Sequence, residues 1–400
     1  MKRSSKLFIC IVFILWATLN GTSVWAMDFG LVLDQNAAFS GYSNQSSFDY
    51  NGILIPRFST PLGSSGGLYI SAGANFQNDP WSLVPELLRT DVYWDFDNAE
   101  LRAGRMAYSD PLGFIANGLF DGARISLDTQ AGTFSAGGWY TGFLYKKRAN
   151  ITMTDKELQS SYTDLDYSDF FNTYFAPKRV VAALDWEHPG LAELVRANVS
   201  LIGQFDLSGG DTLHSQYAAL KFSVPVSAFI FSLGGGLELA EAKGADLGYA
   251  LAGELGAAWQ LPIKLDSQLS LLGRFTSGVI DGSSIVAFQP VTTVDQGDIL
   301  QAKISGLSLI SLDYLARVCP PFAFGITSTY FIRSDKGTYQ GYGSDGYFLG
   351  NEFSGRLLWS PVSDVQVNLG GGVFLPSLGD AAPNADMLWR ITLNVTLSLY

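Results

Sequence analysis

Two histidines, His188 and His214, and two cysteines, Cys10 and Cys319, are the only residues here that combine readily into nucleophilic or soft metal-binding sites. Acid–base or triad chemistry needs a histidine within hydrogen-bond reach of a nucleophile or a carboxylate. His214 has polar neighbours in Asp211, Thr212 and Ser215, but no second histidine or cysteine lies near it in the chain. No spacing of His and Cys matches a metal site. The expectation is a protein that is not an enzyme, holds no metal and needs no cofactor. What remains is the chemistry of fixed charges, which attract, repel and order water.

Those charges recur at alternate positions. Asp91 and Asp95 alternate with Val92, Trp94 and Phe96, and Arg196 alternates with Ala197 and Val199. Lys264, Asp266 and Arg274 alternate with Leu265, Leu269, Leu271 and Phe275. Period two places the two sets on opposite faces of a strand. Twelve residues share this polar phase: Asp91, Asp95, Arg102, Arg124, Arg196, Lys221, Lys264, Asp266, Arg274, Arg356, Asp364 and Arg390. If the apolar face meets lipid, a misdirected Arg or Lys costs about 2–4 kcal/mol near the midplane. These twelve are therefore the candidate lining of a water-filled lumen, with mixed signs that would set a transverse field.

A second candidate is the segment Leu144 to Lys178, the longest without strand alternation. It opens with Lys146, Lys147 and Arg148 and continues with Asp155, Glu157, Asp164, Asp166 and Asp169. Tyr162, Tyr167, Phe170, Phe171, Tyr174 and Phe175 are interleaved. A loop of this length is functional or disordered more often than idle. The expectation is a constriction loop, with Tyr167 and Phe171 among the aromatics that could stack on a sugar ring; the alternative is an exposed loop at the rim.

The composition says what must position these residues. Charged residues are only 16% of the chain and apolar residues 47%, a balance that implies a large surface facing something other than water. Nothing after residue 26 approaches the 18–20 apolar residues of a membrane helix. Backbone polar groups in lipid must pair internally, so the remaining spanning structure is a closed barrel. At the N-terminus, Lys2, Arg3 and Lys6 precede an apolar run from Leu7 to Ala17 and a cleavage-like Val24-Trp25-Ala26. This reads as a cleaved signal peptide over 1–26, with an all-β domain over 27–400. Processing removes three positive charges and no negative one, taking the net charge from −12 to −15. That acidity argues against nucleic acid as a partner. A single remaining cysteine, Cys319, excludes an internal disulfide.

The mature chain divides into segments of about ten residues separated by turns, the signature of a transmembrane antiparallel β-barrel. Eighteen segments can be counted, with sixteen as the alternative. Connections alternate in length. Every even-numbered one is short, and Pro61, Pro189, Pro225, Pro262, Pro320, Pro321 and Pro361 fall in that set. The odd-numbered set contains all the long ones, Asn36 to Ser47 and Leu144 to Lys178 among them. Tight periplasmic turns and longer outside loops have this pattern. In the final segment Trp389, Ile391, Leu393, Val395 and Leu397 form one face and Arg390, Thr392, Asn394 and Thr396 the other.

Leu101 to Ile125 contains Gly104-Arg105 and, after a loop, Phe120-Asp121-Gly122-Ala123-Arg124. This arrangement resembles one found in large outer-membrane porins, loosely of the alginate-export type. The resemblance implies a large barrel and carries no substrate with it. Together these readings lead us to expect an outer-membrane porin passing small polar solutes or ions by diffusion, with a weak cation preference. Its partners would be outer-membrane lipids, the barrel-assembly machinery and the solutes, with a homo-oligomer left open. The alternatives are a barrel whose loops bind host or environmental ligands, and a channel for hydrophobic substrates.

Overall fold

A computed structural model describes residues 27–43, 45–78, 81–210, 212–335 and 346–399. The signal peptide expected over 1–26 lies outside them. Eighteen strands form one antiparallel sheet: β1 (Asp28–Tyr42), β2 (Gln45–Leu62), β3 (Gly66–Gln77), β4 (Ser82–Phe96), β5 (Ala99–Ser109), β6 (Asn117–Thr129), β7 (Gly132–Tyr140), β8 (Arg179–Leu191), β9 (Val195–Asp206), β10 (Leu213–Val226), β11 (Phe229–Ala242), β12 (Gly248–Gln260), β13 (Asp266–Thr276), β14 (Leu307–Cys319), β15 (Phe322–Arg333), β16 (Phe348–Val362), β17 (Val365–Leu375) and β18 (Leu388–Leu399). Each pairs with its sequence neighbours, and β1 pairs with β18 from Leu31↔Leu399 to Tyr42↔Leu388, closing the barrel. Closure removes the unpaired edges that lipid does not tolerate.

The alternation resolves into an outer and an inner face. Leu184, Leu201, Leu233, Leu255, Ile310 and Ile326 are each more than half exposed, and all occupy the outward phase. Apolar side chains left this open have no protein core to enter, and they suit a hydrocarbon surround. Aromatic pairs on the outer face gather next to the tight turns. Phe229 stacks on Trp259 at 5.4 Å and Phe322 on Trp359 at 6.0 Å, as in an interfacial girdle.

The connections keep the expected asymmetry, with one revision. The polar run Asn36–Ser47 is not a long loop. β1 continues to Tyr42 and β2 resumes at Gln45. Asn36 pairs with Asn51, and Ser40 with Ser47, at inward positions. Polar residues facing a watery interior need not break a strand, which is why this run misleads by composition. Conversely, Lys264 lies in the turn between β12 and β13, and Asp364 in the turn between β16 and β17, so neither stands on a strand. Short helices α1 (Lys146–Ala149), α2 (Asp155–Ser161) and α3 (Phe170–Thr173) occupy the long β7–β8 connection.

Candidate functional site

Two outside loops fold back into the barrel and define what is left of its lumen. The first, between β5 and β6, is built on Asp110. Its carboxylate accepts the backbone N–H groups of Leu112 and Gly113 on one oxygen, and those of Ile115 and Ala116 on the other. One side chain thus replaces the ladder that a seven-residue loop cannot make for itself. The loop carries Leu112, Phe114 and Ile115 across to the opposite inner wall, where Gly236 leaves space for Leu112 and Ile115.

The second loop, residues 277–306 between β13 and β14, meets the first. Val291 N–H donates to Ile115 O at 2.7 Å, and the Thr292 hydroxyl bridges the backbone of Asn117. Phe114 and Phe288 meet edge-on with centroids 6.1 Å apart. A buried apolar cluster results, from Met106 and Tyr108 on β5 through Trp139, Val181 and Ile202 to Ala250 and Ala252 on β12. Small inward residues on β11 and β12 (Gly234, Gly236, Ala250, Ala252) make room for it. The inward face of this sector is therefore a packed core and not a water-lined wall.

Wall carboxylates fasten the second loop. Glu352 on β16 accepts N–H groups from Asp298, Ile299 and Leu300. Glu238 on β11 accepts Gln289 N–H at 2.8 Å. Arg274 binds Glu254 at 2.5 Å and the loop's Gln296 at 2.6 Å, and lies over the Phe114 ring at 4.6 Å.

Open space persists on the other side of the barrel and below the first loop. A cavity of 390 Å³ is lined by Asp28, Ser59, Tyr69, Arg89, Asp91, Tyr93 and Arg102, on β1 to β5. One of 320 Å³ lies between the tops of β1, β2 and β18 and the loop residues Ile299 and Gln301, with Arg390 on its wall. A third, of 360 Å³, lies beneath Asp110 beside Arg124 and Asp185. Asp295 faces this side from the loop. Partial desolvation pushes its carboxyl above the ordinary aspartate range, and Lys303 and Arg390 pull it back.

The twelve candidate lining residues separate by setting. Asp91 is held between Arg89 at 2.5 Å and Arg102 at 3.5 Å, and Arg102 also binds Glu100 at 2.6 Å. Arg124 pairs with Asp185 at 3.4 Å, and Arg356 with Asp313 at 2.9 Å. Lys221 and Arg274 converge on Glu254. Asp95 and Arg196 stand exposed near the tight-turn end, and Asp266 begins β13 opposite Arg317 at 3.9 Å. Sequence reasoning passed over Glu254 and Glu238, each in a Gly- and Ala-rich stretch whose alternation is faint, and Glu352, flanked by Gly350 and Gly355.

The long β7–β8 connection enters the mouth and also covers the rim. Arg148 pairs with Glu86 on β4, Gln77 of β3 donates to the Tyr145 hydroxyl, and Thr152 bonds Thr293 of the second loop. Of the residues named for constriction, Glu157 is buried against Arg179 at 2.7 Å. Asp155, Asp164, Asp166, Asp169, Tyr167 and Phe171 are exposed or nearly so, and do not line the cavities above. The segments that cross the lumen are 109–117 and 277–306. Apolar runs such as Pro111 to Ala116 carried no polar signal that could have marked them. His188 sits near the turn end of β8, and His214 at the loop end of β10, where its Nδ1 accepts Asp206 N–H. No metal-binding group of His, Cys, Asp and Glu occurs among the described residues.

With this geometry in view, solved barrels of similar form can be compared. Pseudomonas aeruginosa OccK2 (OpdF) superposes with a TM-score of 0.64 at 13% identity, covering 94% of this chain and 98% of that one. The same protein in complex with glucuronate gives 0.63 at 14%, covering 94% and 99%. The outer membrane protein opdK from the same organism gives 0.59 at 15%, covering 93% and 99%. The chain therefore has the 18-strand barrel fold of these proteins over nearly its whole length. The alginate-export likeness finds no counterpart among them. No family model and no curated protein sequence matches the chain.

Proposed function

We propose that this chain is an outer-membrane porin, exported with loss of residues 1–26 and inserted by the barrel-assembly machinery, through which small polar solutes diffuse. The observation that carries the reading is the residual lumen. It comprises the polar cavities beside β18 and β1 to β5 and beneath Asp110, lined by paired charges, Ser, Thr, Tyr and Asn, inside a wall whose outward positions are mostly apolar. Fixed ion pairs along such a path offer donors and acceptors to a solute without holding it tightly, which conduction requires. The complex of OccK2 with glucuronate supports a hydroxylated carboxylate as one solute class. Arg89, Arg102, Arg124 and Arg390 would meet its carboxylate, and Tyr69 and Tyr93 its ring. Asp91, Asp95, Arg196, Lys221, Asp266, Arg274 and Arg356 belong to the same proposal, as parts of the lumen's field.

Planar-bilayer recording of the purified folded protein tests this. Stepwise openings, reduced by added glucuronate, are the expected result. A bilayer that stays tight at any protein load would reject the channel, and would leave a barrel that only carries loops.

A further inference from the structure

The barrel wall is not zipped along its whole height. Pairing of β4 with β5 runs from Phe96↔Ala99 to Thr90↔Arg105 and stops there among the described residues. Above that point β4 continues on β3 to Ser82, and β5 continues on β6 to Ser109. An unpaired edge inside a membrane costs several kcal/mol for each backbone group left without a partner. Here three successive edge carbonyls are satisfied by side chains. Tyr167 Oη donates to Leu83 O, Tyr174 Oη to Pro85 O at 2.7 Å, and the Arg105 guanidinium to Leu87 O. Pro85 has no N–H to leave unpaired, which is what an edge strand requires at this position.

Two of these three donors belong to the β7–β8 connection and not to the wall. Behind the seam, on the lumen side, Tyr145 packs on inward-facing Val84, and Arg148 pairs with Glu86. Beside it, on the outer face, an apolar trough of 710 Å³ runs from Leu101, in the zipped part of β5, away across β6 to β10 as far as Leu237 and Leu239 on β11. Its floor is one register row of small residues, Ala123, Gly138, Ala182 and Gly203, and the same row continues on β5 to Ala103, two residues short of Arg105. A trough one row wide suits a single alkyl chain; a helix, 10–12 Å across, would not fit.

We propose that the β4–β5 seam is a lateral port between the lumen and the outer leaflet, closed by the tyrosines of the β7–β8 connection, and that it admits a single-chain amphiphile. Outward release of Tyr167 and Tyr174 would bare Leu83 and Pro85 to the polar head while the alkyl chain stays in the trough. Arg105, anchored on Asp121, marks the lower end of the opening.

The test uses the full mature protein in phosphatidylethanolamine–phosphatidylglycerol vesicles containing dodecanoate with a diazirine at its chain end. After irradiation, labelled residues are mapped by mass spectrometry. The native protein is expected to carry label on lumen-facing Val84 and on Tyr145 as well as on outward-facing Leu83 and Leu87. Replacing Tyr167→Phe with Tyr174→Phe removes two donors and keeps both rings, and should raise the lumen-side label roughly fivefold. Asp155→Asn, remote from the seam, should leave it unchanged. Label confined to outward-facing residues in the native protein overturns the proposal, even if the double variant fails to fold. So does a trough protected from label by cross-linkable contact with a second copy. Labelling is read without any ion current, so its failure is separate from failure of the channel reading.

Discussion

Arg105 and Asp121 form a two-pronged ion pair in the outward phase of the wall. Nε and Nη2 of Arg105 reach the two carboxylate oxygens at 2.8 and 2.7 Å, and Arg105 is only 4% exposed. The guanidinium also donates to Leu87 O and Phe143 O, so it ties β5, β6, the free edge of β4 and the β7–β8 connection at one point. Removing one partner of a buried pair leaves an uncompensated charge. Asp121→Ala should lower unfolding stability by about 3–5 kcal/mol. Urea unfolding of the vesicle-inserted barrel, followed by tryptophan fluorescence, measures this. A loss no larger than that of an exposed pair such as Lys147–Asp164 would contradict it.

Gly104 explains the other half of the same motif. Its φ is +120°, one residue before the last pair that joins β5 to β4, and a Cβ there would overlap the Thr90 carbonyl oxygen. Gly104→Ala must either strain the backbone or push the strands apart, at a cost of about 1–3 kcal/mol. The expected outcome is a slower gain of the compact, unheated gel form during folding into vesicles, with the denaturation midpoint shifted in the same direction.

The strand pattern was legible because a barrel wall has two solvents. Leu269, Leu271 and Phe275 point outward while Gln268, Ser270 and Arg274 point into the barrel, so period two survives in the residue types. Connection lengths marked which end of the barrel carries the tight turns and which the long loops. The interior was less legible for a physical reason. Where loops 109–117 and 277–306 pack against the wall, the inward face becomes apolar and small, as at Gly234, Gly236, Ala250 and Ala252, and alternation fades. Asp110 looks like any loop aspartate until four backbone N–H groups are seen around it. The long aromatic connection attracted attention by its composition, whereas its partners, the carbonyls of Leu83, Pro85 and Leu87, carry no side-chain signal at all.

The second loop hangs on Glu352. Its carboxylate gathers three successive N–H groups, and the neighbouring Ser354 hydroxyl binds Asp298 at 2.9 Å. Glu352→Ala leaves those donors without an acceptor in a buried setting, each costing about 1–3 kcal/mol. The loop should leave its position for part of the time. Single-channel records would then show added fast transitions and a main conductance above the native one. An unchanged, quiet trace would mean the loop is held by its apolar contacts alone.

Asp295 gives the lumen a pH-sensitive charge. Because partial desolvation raises its pKa above 3.8, it takes up a proton at a higher pH than an ordinary aspartate. Acidification removes a negative charge facing Arg390, so the cation preference should weaken as pH falls and recover as pH rises. Asp295→Asn should show the weakened preference at neutral pH and lose this part of the pH dependence. Reversal potentials across a salt gradient, measured at several pH values, check both statements.

Lys146 is a buried amine, 3% exposed, whose Nζ has no hydrogen-bond partner. Burial lowers its pKa from 10.5, Lys147 lowers it further, and Asp164 acts in the opposite sense. The sign of the consequence follows. With the folded value below the unfolded one, the unfolded connection binds more protons, so the charged form opposes folding of this segment at neutral pH. The penalty is present in full below the folded pKa and fades as pH rises toward 10.5. Lys146→Met keeps the length and volume and removes the charge. It should stabilise the β7–β8 connection at neutral pH by about 1–2 kcal/mol, seen as slower hydrogen exchange at the Lys146, Ala149 and Asn150 amides, whose bonds to Tyr174 O, Tyr145 O and Lys146 O hold α1 in place. The advantage should shrink as the measurement is moved to alkaline pH. Protection that falls in the Met variant at neutral pH would show instead that the ammonium is paired in solution and holds the connection down.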